Sequence, residues 1–232
     1  MGNRFRSHSV FLLQADIMTD FHTYSPGDPN GLLHDPFNAI IGPRPIGWIS
    51  SISSSGSVNL APYSFFNAFN YKPPIIGFAS IGWKDTVRNI QETGEFVWNL
   101  VTRELVEAMN ISCAPFPSEI NEFDAANLQT LPSETVRPPR VADSPVQFEC
   151  RLTQCIQLQN HHGDQISTWL VLGEVVRVHI HRKMVQASIY QPLAARTVLR
   201  AGGPGDYVEI QPDAVFTLLR PSSLEGILPS SD

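Results

Sequence analysis

Lys84, Thr86 and Arg88 follow one another at alternate positions where an apolar run, Pro73 to Ile81, turns through Gly82-Trp83-Lys84 into a short amphipathic segment. A strand, a tight loop and a helix start, in that order, leave about four N–H groups unbonded and roughly half a positive charge at the helix N-terminus, which favours an anion. Lys84 would add a full charge just upstream, Thr86 a hydroxyl donor, and Arg88 a second cation one turn in. The same residues also describe a capped surface helix with a solvated lysine, since no G-x-G-x-x-G or G-x-x-x-x-G-K-[ST] pattern accompanies them. A second stretch, Asn59-Leu-Ala-Pro-Tyr-Ser-Phe-Phe-Asn67, mixes amides, hydroxyls and aromatics. On one continuous strand Tyr63, Phe65 and Asn67 share one face, and Pro62, Ser64 and Phe66 the other. Such a strand suits an aromatic, hydroxyl-bearing ligand, or equally an aromatic-rich core. His179 and His181 point to one face at a spacing a metal could use, but no third ligand stands with them, and a structural role is the simpler reading.

Elements that could position these groups are legible around them. Arg44 to Ile52 reads as a strand, Ser53 to Ser57 as a turn, and Val58 to Phe69 as a second strand, which Pro62 places at an edge or bulge. With Ile75 to Ile81 as the third, short connections predict an antiparallel meander. Asp85 or Thr86 caps a helix with Val87 and Ile90 on one face and Gly94 as its stop. Phe96 to Val101 is a further strand, and Thr102 caps a second helix bearing Leu105, Ala108 and Met109. The proline-rich, polar stretch from Glu119 to Pro145, with one helical turn near Phe123 to Leu128, has the length of a functional cover. Two long β-rich runs, Val146 to Gln159 and Gln165 to Arg182, flank a turn at Asn160-His-His-Gly-Asp164, and a glycine-rich loop at 201–207 precedes a last strand. Six or more strands with two or three short helices fit one mainly β barrel domain, without alternating βαβ units.

The 232 residues suffice to bury a substantial core; 42% are hydrophobic and 16% charged. A net charge of −6 argues against a nucleic-acid surface, and no apolar stretch approaches the ~18 residues of a membrane span. Cys113, Cys150 and Cys155 lack C-x-x-C spacing, so they read as reduced, buried thiols of a cytoplasmic protein, the latter two on opposite faces of a strand. Residues 1–20 read as an extension outside a single domain spanning 21–232, and Met18 is an alternative start. The serine at Ser7 falls one place beyond the myristoylation pattern, and Val10 to Leu13 is too short for a signal-peptide core.

Six motifs in order resemble the flavin reductase-like, FMN-binding split-barrel family, which includes the flavoredoxins. They are Gly42-Pro-Arg-Pro-Ile-Gly-Trp-Ile-Ser-Ser51, Asn59 to Asn67, Lys84-Asp-Thr-Val-Arg-Asn-Ile90, Phe96-Val-Trp-Asn-Leu100, Gly173-Glu-Val175 and Arg200-Ala-Gly-Gly-Pro-Gly-Asp-Tyr207. The resemblance runs from about residue 35 to residue 210. It implies a split β-barrel with a few short helices, a homodimer, and FMN near the subunit interface. By the same resemblance, the Ala61-Pro62-Tyr63 backbone with Ser64 and Asn67 would line the ribityl chain and ring. Ser80, Lys84 and Thr86 would hold the phosphate, and Trp48 and Ser50 would border the flavin. The implied activity is NAD(P)H-linked reduction of flavin or a small acceptor; the alternative is an electron carrier between protein partners. No protein group is required as a catalytic acid or base, because the cofactor carries the redox step. One departure stands out: members that use NADH often have histidine five residues before the glycine matched by Gly173, where this chain has Thr168.

Overall fold

The structure, a computed structural model, describes residues 20–221. The chain divides into two compact units, the first ending at Pro36 and the second beginning at Phe37; sequence reasoning put the boundary near residue 20. Residues 20–36 form bends and turns without helix or strand. The expected extension, residues 1–20, lies outside the described residues except for Asp20, and the alternative start at Met18 lies wholly outside them.

From Phe37 onward the elements run α1 (Phe37–Ile40), β1 (Gly47–Ile52), β2 (Val58–Tyr63), β3 (Phe66–Tyr71), β4 (Pro74–Ile81), α2 (Asp85–Thr93) and β5 (Glu95–Asn99). There follow α3 (Val106–Ile111), α4 (Glu122–Ala125), β6 (Thr130–Leu131), β7 (Arg140–Val141), and the long hairpin of β8 (Val146–Gln159) and β9 (Gln165–Ile180). Two short hairpins complete the strands: β10 (Val185–Gln186) with β11 (Ile189–Tyr190), and β12 (Val198–Gly202) with β13 (Asp206–Glu209).

One seven-stranded sheet has the order β2-β1-β5-β8-β9-β4-β3, and all of its pairings are antiparallel. Its two edge strands, β2 and β3, are consecutive in the chain. Laid flat, six gaps of about 4.8 Å would put those edges roughly 29 Å apart, whereas the link from Tyr63 to Phe66 spans at most about 11 Å. The sheet therefore curls until its edges meet, giving the mainly β split barrel with short helices that the sequence implied. The expected continuous strand from Val58 to Phe69 breaks at Ser64-Phe65, and the expected meander becomes two hairpins at opposite ends of the sheet.

Both faces of the sheet near β1 are buried. Ile49, Tyr63, Phe78, Phe96, Trp98 and Val171 fill one core with Val87 and Ile90 of α2. Trp48 and Leu60, one position out of phase, join a second core with Leu105, Met109, Phe123 and Val141. This two-strand alternation is the period-2 geometry of the pleat. Gly173 shows how tightly the first core closes: a methyl group there would lie 2.3 Å from the Phe96 ring. Cys150 and Cys155 both meet this core, contrary to the opposite faces expected, because a bulge between Leu152 and Gln154 adds a residue to β8 and reverses the alternation.

Helix boundaries shift modestly. Lys84, neither Asp85 nor Thr86, occupies the N-cap of α2, while Gly94 ends it in the left-handed conformation at φ 72° as expected. α3 begins a turn after Thr102, whose carbonyl accepts from Leu105 N.

The stretch from Glu119 to Pro145 packs onto β1, β5 and β8. Ser50 Oγ donates to Pro139 O, and Val141 N donates to Asn99 Oδ1 at 2.8 Å. Glu149, fully buried, accepts from Glu134 N at 2.8 Å, Thr135 N at 2.6 Å and His179 Nε2 at 2.6 Å. Burial pushes this carboxyl up, but the hydrogen bonds from Glu134, Thr135 and His179 outweigh it and bring it down to about 2.

Because the folded value lies below the ordinary Glu value of about 4.3, the Glu149 contribution is complete above that value. It is lost as pH falls toward 2. Glu149→Gln is expected to cost about 1.5–3 kcal/mol at neutral pH, the range for hydrogen bonds to a charged group. In urea titrations the gap between wild type and variant should narrow between about pH 4.3 and pH 2. A gap that stays constant across that window would show the carboxylate is not what holds the cover.

Candidate functional site

A cleft of about 420 Å3 opens where the end of β2 meets the start of α2. Ala61, Pro62 and Tyr63 form one wall, Lys84 and Thr86 another, and the loop 112–118 after α3 a third. Gly82, at φ 89°, makes the turn that delivers Lys84 to the cleft, a conformation side chains beyond glycine rarely adopt. Ser80 supports this turn from below, donating to Gly82 O at 2.9 Å. α2 carries no side-chain cap hydrogen bond at Lys84, so its first-turn N–H groups keep their donor capacity. Lys84 is exposed and forms no ion pair among the described residues.

Beneath the helix start lies a buried polar layer. Asn59 Nδ2 donates to Thr86 Oγ1 at 2.8 Å, which leaves the Thr86 hydroxyl proton free to donate elsewhere. Asn89 Nδ2 donates to Ser51 Oγ at 3.3 Å. Tyr63 is 6% exposed, and burial pushes its phenol up to about 12 against the pull of the Thr86 and Ser80 hydroxyls. Neither hydroxyl meets it in hydrogen-bonding geometry, so the buried Tyr63 OH has no partner among the described residues. An unpaired buried hydroxyl is costly, and this one lies in the barrel core, shielded from the solvent of the cleft.

The electrostatics are mixed. Asp85 faces the cleft but is paired with Arg88 at 2.6 Å; Arg88, expected as a second cation of the site, is thus committed to its own helix and lies outside the cleft lining. Glu122 closes the far side, accepting from Leu60 N at 3.0 Å. Its burial, with Asp85 adding a smaller effect, raises its pKa above the ordinary carboxylate value.

Of the ten site residues expected from the sequence, Ala61, Pro62, Tyr63, Lys84 and Thr86 come together here. Ser80 lies directly behind. Trp48 and Ser50 do not reach the cleft: they point to the outer core, where Trp48 Nε1 donates to Ser112 Oγ at 3.0 Å and Ser50 is bound under the cover. Trp48 instead fixes the root of the 112–118 wall. Ser64 sits in the link between the sheet edges, its carbonyl accepting from Arg44 Nε at 3.0 Å. Asn67 is exposed on β3, with Oδ1 accepting from Ala68 N. Thr168 lies on β9 opposite Ile81, three residues before Lys84. His181 caps a turn through Lys183 N, and no cluster of three metal-ligating side chains exists among the described residues.

Sequence reasoning missed the 112–118 wall and Glu122. Cys113, expected to be buried, is exposed and lines the cleft. The pair Pro115 and Pro117 signals a loop there, but nothing local points that loop toward Lys84.

Residues 42–197 match the model of the flavin reductase-like domain. The Halalkalibacterium halodurans protein BH2278 is 37% identical over 188 residues, covering 78% of this chain and 87% of that protein. Among solved structures, 2-nitrobenzoate 2-nitroreductase NbaA of Pseudomonas fluorescens superposes with a TM-score of 0.74 at 29% identity, covering 91% of this chain and 100% of that one. Nitrilotriacetate monooxygenase component B from Bacillus cereus does so with a TM-score of 0.73 at 28% identity, covering 84% and 99%.

Tyr63→Phe tests the unpartnered hydroxyl without any ligand. Removing it should leave the ligand-free protein as stable or more stable, by up to about 1 kcal/mol. A loss beyond 1 kcal/mol in urea unfolding would mean that the hydroxyl is satisfied in solution.

Proposed function

Since the chain belongs to the flavin reductase-like family, we propose that this cleft holds FMN and that the protein is a flavin-dependent oxidoreductase, reducing flavin or a small acceptor with electrons from NAD(P)H. The observation that carries this reading is the exposed Lys84, without an ion pair among the described residues, standing with Thr86 at an uncapped helix start on the cleft. Three kinds of donor converge on one end of a cleft, as a phosphate requires. Lys84 and Thr86 would hold the phosphate, with Ser80 setting the turn behind them. The Ala61-Pro62-Tyr63 edge would lie along the ribityl chain and ring, with Ser64 and Asn67 beyond it. Trp48 and Ser50 act at one remove, through the loop wall and the cover. When bound, FMN supplies both hydride acceptance and single-electron transfer.

The protein is further read as a homodimer. Phe69 and Tyr71 on β3 are more than half exposed, apolar side chains that a second copy would cover. Three free thiols suit a reducing compartment, the cytoplasm. No helix among the described residues is long and apolar enough to cross a membrane.

The second reading, an electron carrier, is favoured by Thr168. A nicotinamide must lie within about 3–3.5 Å of the flavin atom that accepts its hydride, and a threonine offers no cationic or stacking contact to orient it.

Two measurements follow. Lys84→Ala should weaken FMN binding by about 1.5–3 kcal/mol while leaving riboflavin, which has no phosphate, almost unchanged. Equal losses for both would make Lys84 a support of the fold. Anaerobic mixing with NADH and with NADPH should bleach the yellow protein at rates on the order of 10 per second if it is a reductase, and Thr168→His should speed the reaction. A protein reduced by dithionite but by neither nucleotide is the carrier.

A further inference from the structure

An anion that enters this cleft meets two carboxylates as well as Lys84. Asp85 is neutralised by Arg88 at 2.6 Å. Glu122 lines the same cleft and forms no ion pair among the described residues. Its position is fixed from two directions. Asn121 caps α4, its side chain accepting from Phe123 N at 3.0 Å, and Phe123 is sunk in the second core. Glu122 Oε2 accepts from Leu60 N at 3.0 Å, an amide of the edge strand β2. The carboxyl group is thus built into the wall, half-buried, with its charge unmatched.

The charged and titratable groups around Glu122 come from every element beside it. α2 brings Lys84 and Asp85, β2 brings Tyr63, and the 112–118 wall brings Cys113. Its own segment adds Glu119 and Asp124, the latter accepting from Asn121 Nδ2 at 3.0 Å. Tyr63, pushed up to about 12, stays neutral. Burial, and to a lesser degree Asp85, already favours the protonated form of Glu122. The cleft, of about 420 Å3, is comparable in width with the ~8 Å screening length of physiological salt. A phosphate held by Lys84 therefore acts on Glu122 across it.

We propose that Glu122 meets the phosphate-bearing ligand as a neutral acid, so that the ligand enters this cleft together with one proton. The proton comes from solvent, and no bond of the ligand is made or broken. Oε2 goes on accepting from Leu60 N, while the protonated Oε1 gains a donor. The sign follows from linkage. The ligand's negative charge raises the Glu122 pKa above its value without ligand. Affinity is therefore highest below the ligand-free value, and the gain is lost as pH rises through the ligand-bound one.

This inference deepens the FMN reading and rests on it, so FMN and riboflavin are measured side by side. Calorimetry gives their Kd in wild type and in Glu122→Gln from about pH 5 to about pH 8, a span that starts just above the ordinary Glu value. The amide keeps an acceptor for Leu60 N and is neutral throughout. At the alkaline end the variant should bind FMN roughly tenfold more tightly than wild type. The gap should narrow as pH falls. The phosphate's own titration near pH ~6 is common to both proteins, so the ratio of the two Kd values isolates Glu122. Heats in buffers of different ionisation enthalpy should show wild type taking up more protons with FMN than the variant does. Riboflavin should give a ratio that does not move with pH.

If neither flavin binds at any pH, the FMN reading fails and the role of Glu122 fails with it. If FMN binds, the role of Glu122 alone is overturned by an FMN ratio constant across the range. Weaker FMN binding to the variant at the alkaline end, or the same pH-dependent ratio with riboflavin, would overturn it equally.

Discussion

Two residues, Ser64 and Phe65, join the opposite edges of a seven-stranded sheet, and the rest of the molecule is arranged around that short link. It forces the sheet to curl, so the barrel closes by chain continuity where a ladder of hydrogen bonds is missing. Arg44 grips the link through Ser64 O, and Ala79 N donates to Phe65 O at 2.8 Å, tying it to the strand that leads into α2. β2 is left as an edge strand of the sheet, and Ala61, Pro62 and Tyr63 on it line the cleft.

Closing a barrel around a helix start imposes a second demand, since polar groups taken inside must find partners. Asn59, Ser51, Asn89 and Thr86 satisfy most of one another. Asn89 Oδ1 and the Tyr63 hydroxyl remain without a hydrogen-bond partner among the described residues. A purely structural core would have replaced such groups with hydrocarbon at little loss.

The local features of this site were legible in the sequence because they arise from neighbours in the chain. A strand, a glycine turn and a helix start place Lys84 and Thr86 by covalent geometry alone, and Pro62 announces an edge. The face of β1 was not legible. Both its faces are buried, so residue type could not say whether Trp48 and Ser50 look into the barrel or away from it; they look away, under α3 and the cover. The break of the second strand depends on the distant β4, and the 112–118 wall on a bond from Trp48, 64 residues earlier. Cys155 was misplaced for a related reason, a bulge that depends on pairing with β9 and leaves no mark in β8 itself. Alternation predicts faces only while the ladder stays in register.

α2 belongs to two structures at once. Its first turn borders the cleft, while Val87 and Ile90 of the same two turns are fully buried in the barrel core. A ligand seated on that helix start therefore tightens the packing of the core, and loosening the core releases the ligand. Binding at a hundredfold excess over Kd is worth about 2.7 kcal/mol to the folded state, a sizeable part of the 5–15 kcal/mol that keeps most domains folded. In a cell, where unfolded chains are continuously removed by proteases, a ligand bound with that excess would lengthen the life of each copy that holds it.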